Sequence, residues 1–211
     1  MVLLDYALTT FVTLMVVVDP IGLAPVFLAI TQGLSKAARR DIGWRASAIG
    51  ATILVATAIG GTWLLARLGI GLPAFRISGG ILLFVVAFEM VPGVRPAREA
   101  QQATQAAEEH ARNIAAFPLA IPMIAGPGAI TATLLLAGRT AGNPLQMMAL
   151  IAIVIAVAAI CGVTFALAGR VAGALGHTGS VVLSRLLGVV LAALAVQFVI
   201  AAAARHSAEK G

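Results

Sequence analysis

Cysteine is nearly absent, with Cys161 alone in 211 residues, so no intrachain disulfide can form and the thiol is expected to act as a small apolar side chain. Charge is scarce, at 10% of residues, and aromatics make up only 5%. Basic residues exceed acidic ones by 14 to 8, for a net charge of +6. They are nonetheless scattered between apolar stretches, without the single basic face and stacking partners that nucleic-acid binding needs. Their placement suits cytoplasmic loops and anionic lipid surfaces. No G-x-x-x-x-G-K-[ST] phosphate loop occurs, nor H-E-x-x-H, nor G-x-S-x-G, which excludes ATP coupling through a P-loop and weakens protease and esterase readings. His110, His177 and His206 fall in polar loops or the tail without metal-ligand spacing, so no metal and no cofactor are expected and the chain does not read as an enzyme. The first ten residues carry Asp5 and no Lys or Arg, unlike the positive start of a cleaved signal peptide, and read as the retained start of a span.

Apolar residues are present in excess. They form 61% of the chain, and the mean hydropathy is +1.04, which places the chain in a lipid bilayer. About 20 apolar residues cross roughly 30 Å of hydrocarbon as a helix, and the runs lack the alternation of barrel strands. The charges delimit six spans: 6–30, 46–66, a shorter one at 77–88 that requires Pro73 to start the helix and Glu89 to lie near its far end, 113–138, 140–169 and 186–204. A polar stretch, 92–112, divides repeat 1 (about 1–91) from repeat 2 (about 113–205) within one transmembrane domain, 1–211. The first, third and fifth loops hold nine Lys and Arg and the other side five, which puts both termini outside.

Helix breakers concentrate in the first and fourth spans. A shift of 107 residues lays Pro20 on Pro127, Asp19 on Gly126 and Gly22 on Ala129, and a shift of 108 lays Gly80 on Gly188, Ala87 on Ala195 and Glu89 on Gln197. Two halves of three helices each must run in opposite directions. The expected fold is therefore all-α, with six transmembrane helices as two inverted repeats whose first and fourth helices are broken, the architecture in which interrupted helices meet to form a transport site.

Asp19 is the focus of the chemistry. A carboxylate at mid-bilayer costs about 2.5–3.5 kcal/mol on insertion scales, so such residues are functional candidates. Pro20 removes a donor and displaces Asp19 from helical geometry, and Pro25 is expected to repeat the interruption one turn later, exposing carbonyls beside Gly22 that suit an ammonium group. In the fourth span, Gly126, Pro127 and Gly128 unwind and restart a helix whose first amides, through Ala129, suit a carboxylate, with Thr131 adding a hydroxyl. Together these groups would hold a zwitterion, a small amino acid. Other roles are open: Asp19 pairing with Arg76 or Arg185 as structural glue, Asp19 as a proton carrier, and prolines that merely kink helices, the reading favoured for Pro118 and Pro122. Glu89 and Gln197, near helix ends, read as interface anchors before substrate contacts.

The stretches DPIGLAPVF, FRISGGILLFVVAFEM, PLAIPMIAGPGAIT and SRLLGVVLAALAVQFV resemble the MarC family of integral membrane proteins over nearly the whole chain. That family is similar in organisation to the lysine exporter superfamily, six-helix proteins with related halves. The resemblance implies an inner-membrane carrier of bacteria or archaea, with Asp19 to Pro25 and Gly126 to Thr131 at its centre. Where many members carry Asn after the glycine of the first motif, this chain has Leu23. The expected activity is secondary transport of a small neutral amino acid by alternating access, as an exporter or importer, coupled to H⁺ or Na⁺. A channel or a non-transporting membrane scaffold is the alternative. The expected partners are the bilayer and the substrate, with no nucleic acid; the sequence leaves the oligomeric state open.

Overall fold

The computed structural model describes residues 2–93, Gln101, 114–140 and 142–208. Most of the polar stretch expected over 92–112 lies outside the described residues. The elements are α1 (Val2–Val18), α2 (Pro20–Ile30), α3 (Lys36–Arg67), α4 (Leu72–Met90), α5 (Ala115–Ile124), α6 (Pro127–Thr140), α7 (Pro144–Ala166) and α8 (Ala168–Ala208). Among the described residues all regular structure is helical, as backbone groups in lipid require.

Five stretches are long and apolar enough to cross a membrane: Leu3–Ile30, Lys36–Arg67, Leu72–Met90, Pro144–Ala166 and Thr178–Ala204. The bent pair α5 and α6, at 56° to each other, makes a sixth where the two helices together form one broken span. α4 begins with Pro73 in its first turn and carries Glu89 near its end, the two conditions under which the short third span crosses. α3 starts ten residues before the expected 46, because Ser35 caps it by accepting the Ala38 amide at 3.2 Å. α8 likewise runs through the polar residues before 186. It turns at Gly176 (φ 61°, ψ 177°), and its spanning part begins at Thr178.

Antiparallel pairs hold the bundle together. Gly43 of α3 lies against Phe165 of α7, and Gly162 of α7 against Trp44 of α3. Phe27 of α2 stacks on Phe165 with ring centres 4.6 Å apart. α4 and α8 meet through small residues, as membrane helices do where backbones approach closely. A Cβ on Gly80 would stand 2.9 Å from the Ala195 carbonyl and would also strike Val199. A Cβ on Gly188 would stand 3.2 Å from the Ala87 carbonyl, beside Met90 and Val91. Adding 108 to Gly80, Ala87 and Val91 gives Gly188, Ala195 and Val199. Each contact is therefore matched by its counterpart in the other half.

The interrupted first span is deeply buried: of its apolar stretch 61% lies inside the bundle, against 44% in α7 and 28% in α3, α4 and the spanning part of α8.

Candidate functional site

The first interruption is one residue wide. Asp19 takes the left-handed conformation (φ 49°, ψ 62°), which Asp tolerates better than most side chains and which recurs at functional positions. Two local causes converge: the residue before a proline is disfavoured in the helical region, and Pro20 has no N–H to return to the Val16 carbonyl. Regular bonding resumes at once on either side. The Asp19 amide donates to the Met15 carbonyl at 3.0 Å, and the Asp19 carbonyl accepts from the Leu23 amide at 3.1 Å. The expected row of exposed carbonyls is thus much shortened. Pro25 lies inside α2, which continues to Ile30, so the second break expected there does not form.

The carboxylate caps α2, where the helix dipole favours negative charge. Its Oδ1 accepts from the Gly22 amide at 3.0 Å, and its Oδ2 accepts from Ser184 Oγ of α8 at 2.7 Å. Asp19 is 7% exposed. Gly22 makes room for this arrangement, since a Cβ there would come within 2.8 Å of Asp19 Cγ and 2.9 Å of Ser184 Oγ. One turn earlier on α8, Ser180 is buried with its hydroxyl unpartnered among the described residues. Neither Arg76 nor Arg185 pairs with Asp19. Arg76 donates to the Gly138 carbonyl at 2.9 Å and Arg185 to the Pro92 carbonyl at 3.3 Å, which overturns the structural-glue alternative.

The second interruption is longer. Phe117 and Ile121, each before a proline, are extended (φ −128° and −125°), as proline sterics favour. The Phe117–Pro118 and Ile121–Pro122 bonds are cis. The wide turns of α5 close through Leu119 to Ile114 and Ala125 to Ala120, bonds spanning five residues. Ala125 and Gly126 then form the corner. α6 restarts with Pro127 at a position that needs no donor, and its first backbone bond runs from the Ile130 amide to the Gly126 carbonyl at 2.9 Å. The amides of Gly128 and Ala129 thus head the restarted helix.

The two interruptions are neighbours. A Cβ on Gly128 would be 3.3 Å from Val17 Cγ1 and 3.5 Å from Val86 Cγ2, and Val17 and Gly128 each lie two residues from their break. Thr131 is buried, with its methyl group facing Gly79 of α4.

Arg76 and Gln197 come together elsewhere. With Thr9, Arg139 and Phe198 they line a cavity of about 250 Å³ near the start of α1, where Arg139 also lies over the Phe198 ring at 5.9 Å. Glu89, half-buried near the end of α4, is not among its walls. Ser184 and Arg139 escaped the sequence reading. Ser184 opens the last of the quoted stretches, but a serine beside an arginine at a span boundary carries no sign of a partner 165 residues away.

With this geometry in place, comparison with known proteins is decisive. The profile of the MarC family of integral membrane proteins matches residues 4–206. The chain belongs to the MarC family. A UPF0056 membrane protein of Methanocaldococcus jannaschii is 33% identical over 197 residues, covering 93% of this chain and 95% of that one. One of Aquifex aeolicus is 35% identical, covering 90% and 88%. The Escherichia coli membrane protein YhcE is 32% identical with the same coverage. No solved structure matches. Membership establishes a multi-pass integral membrane protein in contact with lipid, and the four quoted stretches fall within the matched range.

Proposed function

We propose that this MarC protein is a secondary carrier of small neutral amino acids, glycine or alanine in size, working by alternating access between inverted halves. The observation that carries the reading is the packing of Val17, two residues before Asp19, against Gly128 in the first turn of α6, which supports a site drawing on both helix breaks. A carboxylate has about four lone-pair sites. The Gly22 amide and the Ser184 hydroxyl use two of those on Asp19, leaving capacity for an ammonium group. The first amides of α6 suit a carboxylate, and the unpartnered Ser180 hydroxyl on the same face as Ser184 adds a polar group that a guest would satisfy. Tight packing between the breaks favours a compact substrate. The reciprocal contacts of α4 and α8 support halves that exchange roles across the membrane.

A bacterial or archaeal cytoplasmic membrane with both termini outside is part of the same reading. A non-transporting scaffold is the second reading, favoured by the fact that both Asp19 oxygens already hold donors. Proteoliposomes distinguish them. The carrier predicts saturable counterflow of radiolabelled glycine or alanine, reduced at least tenfold in Asp19→Asn, and an imposed H⁺ or Na⁺ gradient identifies the coupling ion. Currents without counterflow indicate a channel. The absence of both for every small neutral amino acid rejects the proposal.

A further inference from the structure

At the opposite end of α3 from the α3–α4 turn, Lys36, Arg39 and Arg170 surround a cavity of about 400 Å³ whose remaining walls include Leu28, Phe165 and Leu167. Three cations converge here without a carboxylate. Arg39 spends its Nε on the Thr31 carbonyl at 3.1 Å, which fixes its direction. The only ion pair among the described residues, Arg45 with Asp41, involves none of the three. Like charges gathered at the edge of an apolar surface repel one another unless an anion joins them.

The architecture does not demand this charge. A cavity of about 550 Å³ occupies the corresponding corner at the other end of α3. The cationic cavity lies where α3 and α8 begin, and the second lies where α7 and α4 begin, the equivalent helices of the exchanged halves. The second is lined by Thr62, Thr140 and Asn143 and by no charged group. Under the shift of 107 residues Lys36 falls on Asn143. The same corner of the fold is therefore cationic at one face and neutral at the other.

We infer that the Lys36, Arg39 and Arg170 cavity binds the phosphate of an anionic phospholipid headgroup. The three basic groups supply the charge complement, as basic pockets between membrane helices do for acidic lipids. The apolar walls of Leu28, Phe165 and Leu167 accept the adjoining acyl chain, which selects an amphiphile over a free anion. The cavity lies on the more basic side of the molecule, the side the loop charges assign to the cytoplasmic leaflet.

Native mass spectrometry of the full chain tests this, with phosphatidylglycerol and phosphatidylcholine as probes and inorganic phosphate as competitor. The expected result is preferential retention of phosphatidylglycerol, weakened about a hundredfold in Lys36→Gln/Arg39→Gln/Arg170→Gln and about fivefold in Arg170→Gln alone. Arg67→Gln, at the other end of α3, should leave it unchanged. The single exposed-site variants keep the test valid if the triple variant folds poorly. Equal retention in Arg170→Gln and wild type, equal losses in Arg170→Gln and Arg67→Gln, or displacement of the lipid by millimolar phosphate would each overturn the site.

Discussion

The Ser184 hydroxyl donates to Asp19 Oδ2 at 2.7 Å, joining α8 to the helix break in the first span. Hydrogen bonds to charged groups contribute about 1.5–3 kcal/mol, and removing the donor leaves a buried acceptor short of a partner. Ser184→Ala is therefore expected to destabilise the protein by about 1–3 kcal/mol, with Ser184→Thr closer to wild type. A double-mutant cycle with Asp19→Asn, followed by thermal unfolding in detergent, should show coupling above about 0.5 kcal/mol. Additive effects would mean that the bond contributes nothing to stability.

Gly22 sits beneath that bond. Its replacement by Ala would put a methyl group within 2.8 Å of Asp19 Cγ and 2.9 Å of Ser184 Oγ, and overpacking of this kind costs about 1–3 kcal/mol. Gly22→Ala should lower both stability and transport, the latter measured as counterflow per correctly folded protein. A variant that matches wild type in both assays would show that the carboxylate shifts freely, contrary to its role as a fixed anchor.

The fold is largely legible because membrane spans are specified by uninterrupted hydropathy, and even the short third span follows from Pro73 and Glu89 as its limits. Boundaries drawn from charge failed at α3 and α8, since helices extend past the bilayer into polar sequence when a cap such as Ser35 begins them. Of the site, Asp19 with Pro20 and Gly126 with Pro127 were readable from local backbone chemistry. Pro25 was misread because a surrounding helix can absorb a missing donor. Ser184 was beyond reach, as its meaning depends on a tertiary contact.

The reciprocal α4 and α8 contacts predict matched sensitivity in the two halves. Gly80→Ala meets the Ala195 carbonyl at 2.9 Å and Gly188→Ala meets Met90 Cβ at 2.8 Å, so each should cost about 1–3 kcal/mol. Gly60→Ala, in the interior of α3 with nothing within 4 Å, should be neutral or stabilising by up to about 1 kcal/mol through helix propensity. Thermal unfolding of the three variants checks the pattern. Equal destabilisation by Gly60→Ala would remove close packing as the cause.

Orientation is open to a direct measurement, because the charge asymmetry makes a definite claim. Four basic residues, Lys36, Arg39, Arg40 and Arg45, follow the first span at once, and basic residues close to span ends are retained in the cytoplasm. Gln32, in the turn between α2 and α3, should then face the cytoplasm, and Leu68, exposed in the turn between α3 and α4, should face outward. Cys161 is buried in α7 and can be replaced by Ala to give a thiol-free background. In that background a membrane-impermeant maleimide should label Leu68→Cys in intact cells, and label Gln32→Cys only after permeabilisation. The opposite pattern would invert the molecule, turn the Lys36, Arg39 and Arg170 cavity toward the outer leaflet, and show that the charge in these loops does not set the topology.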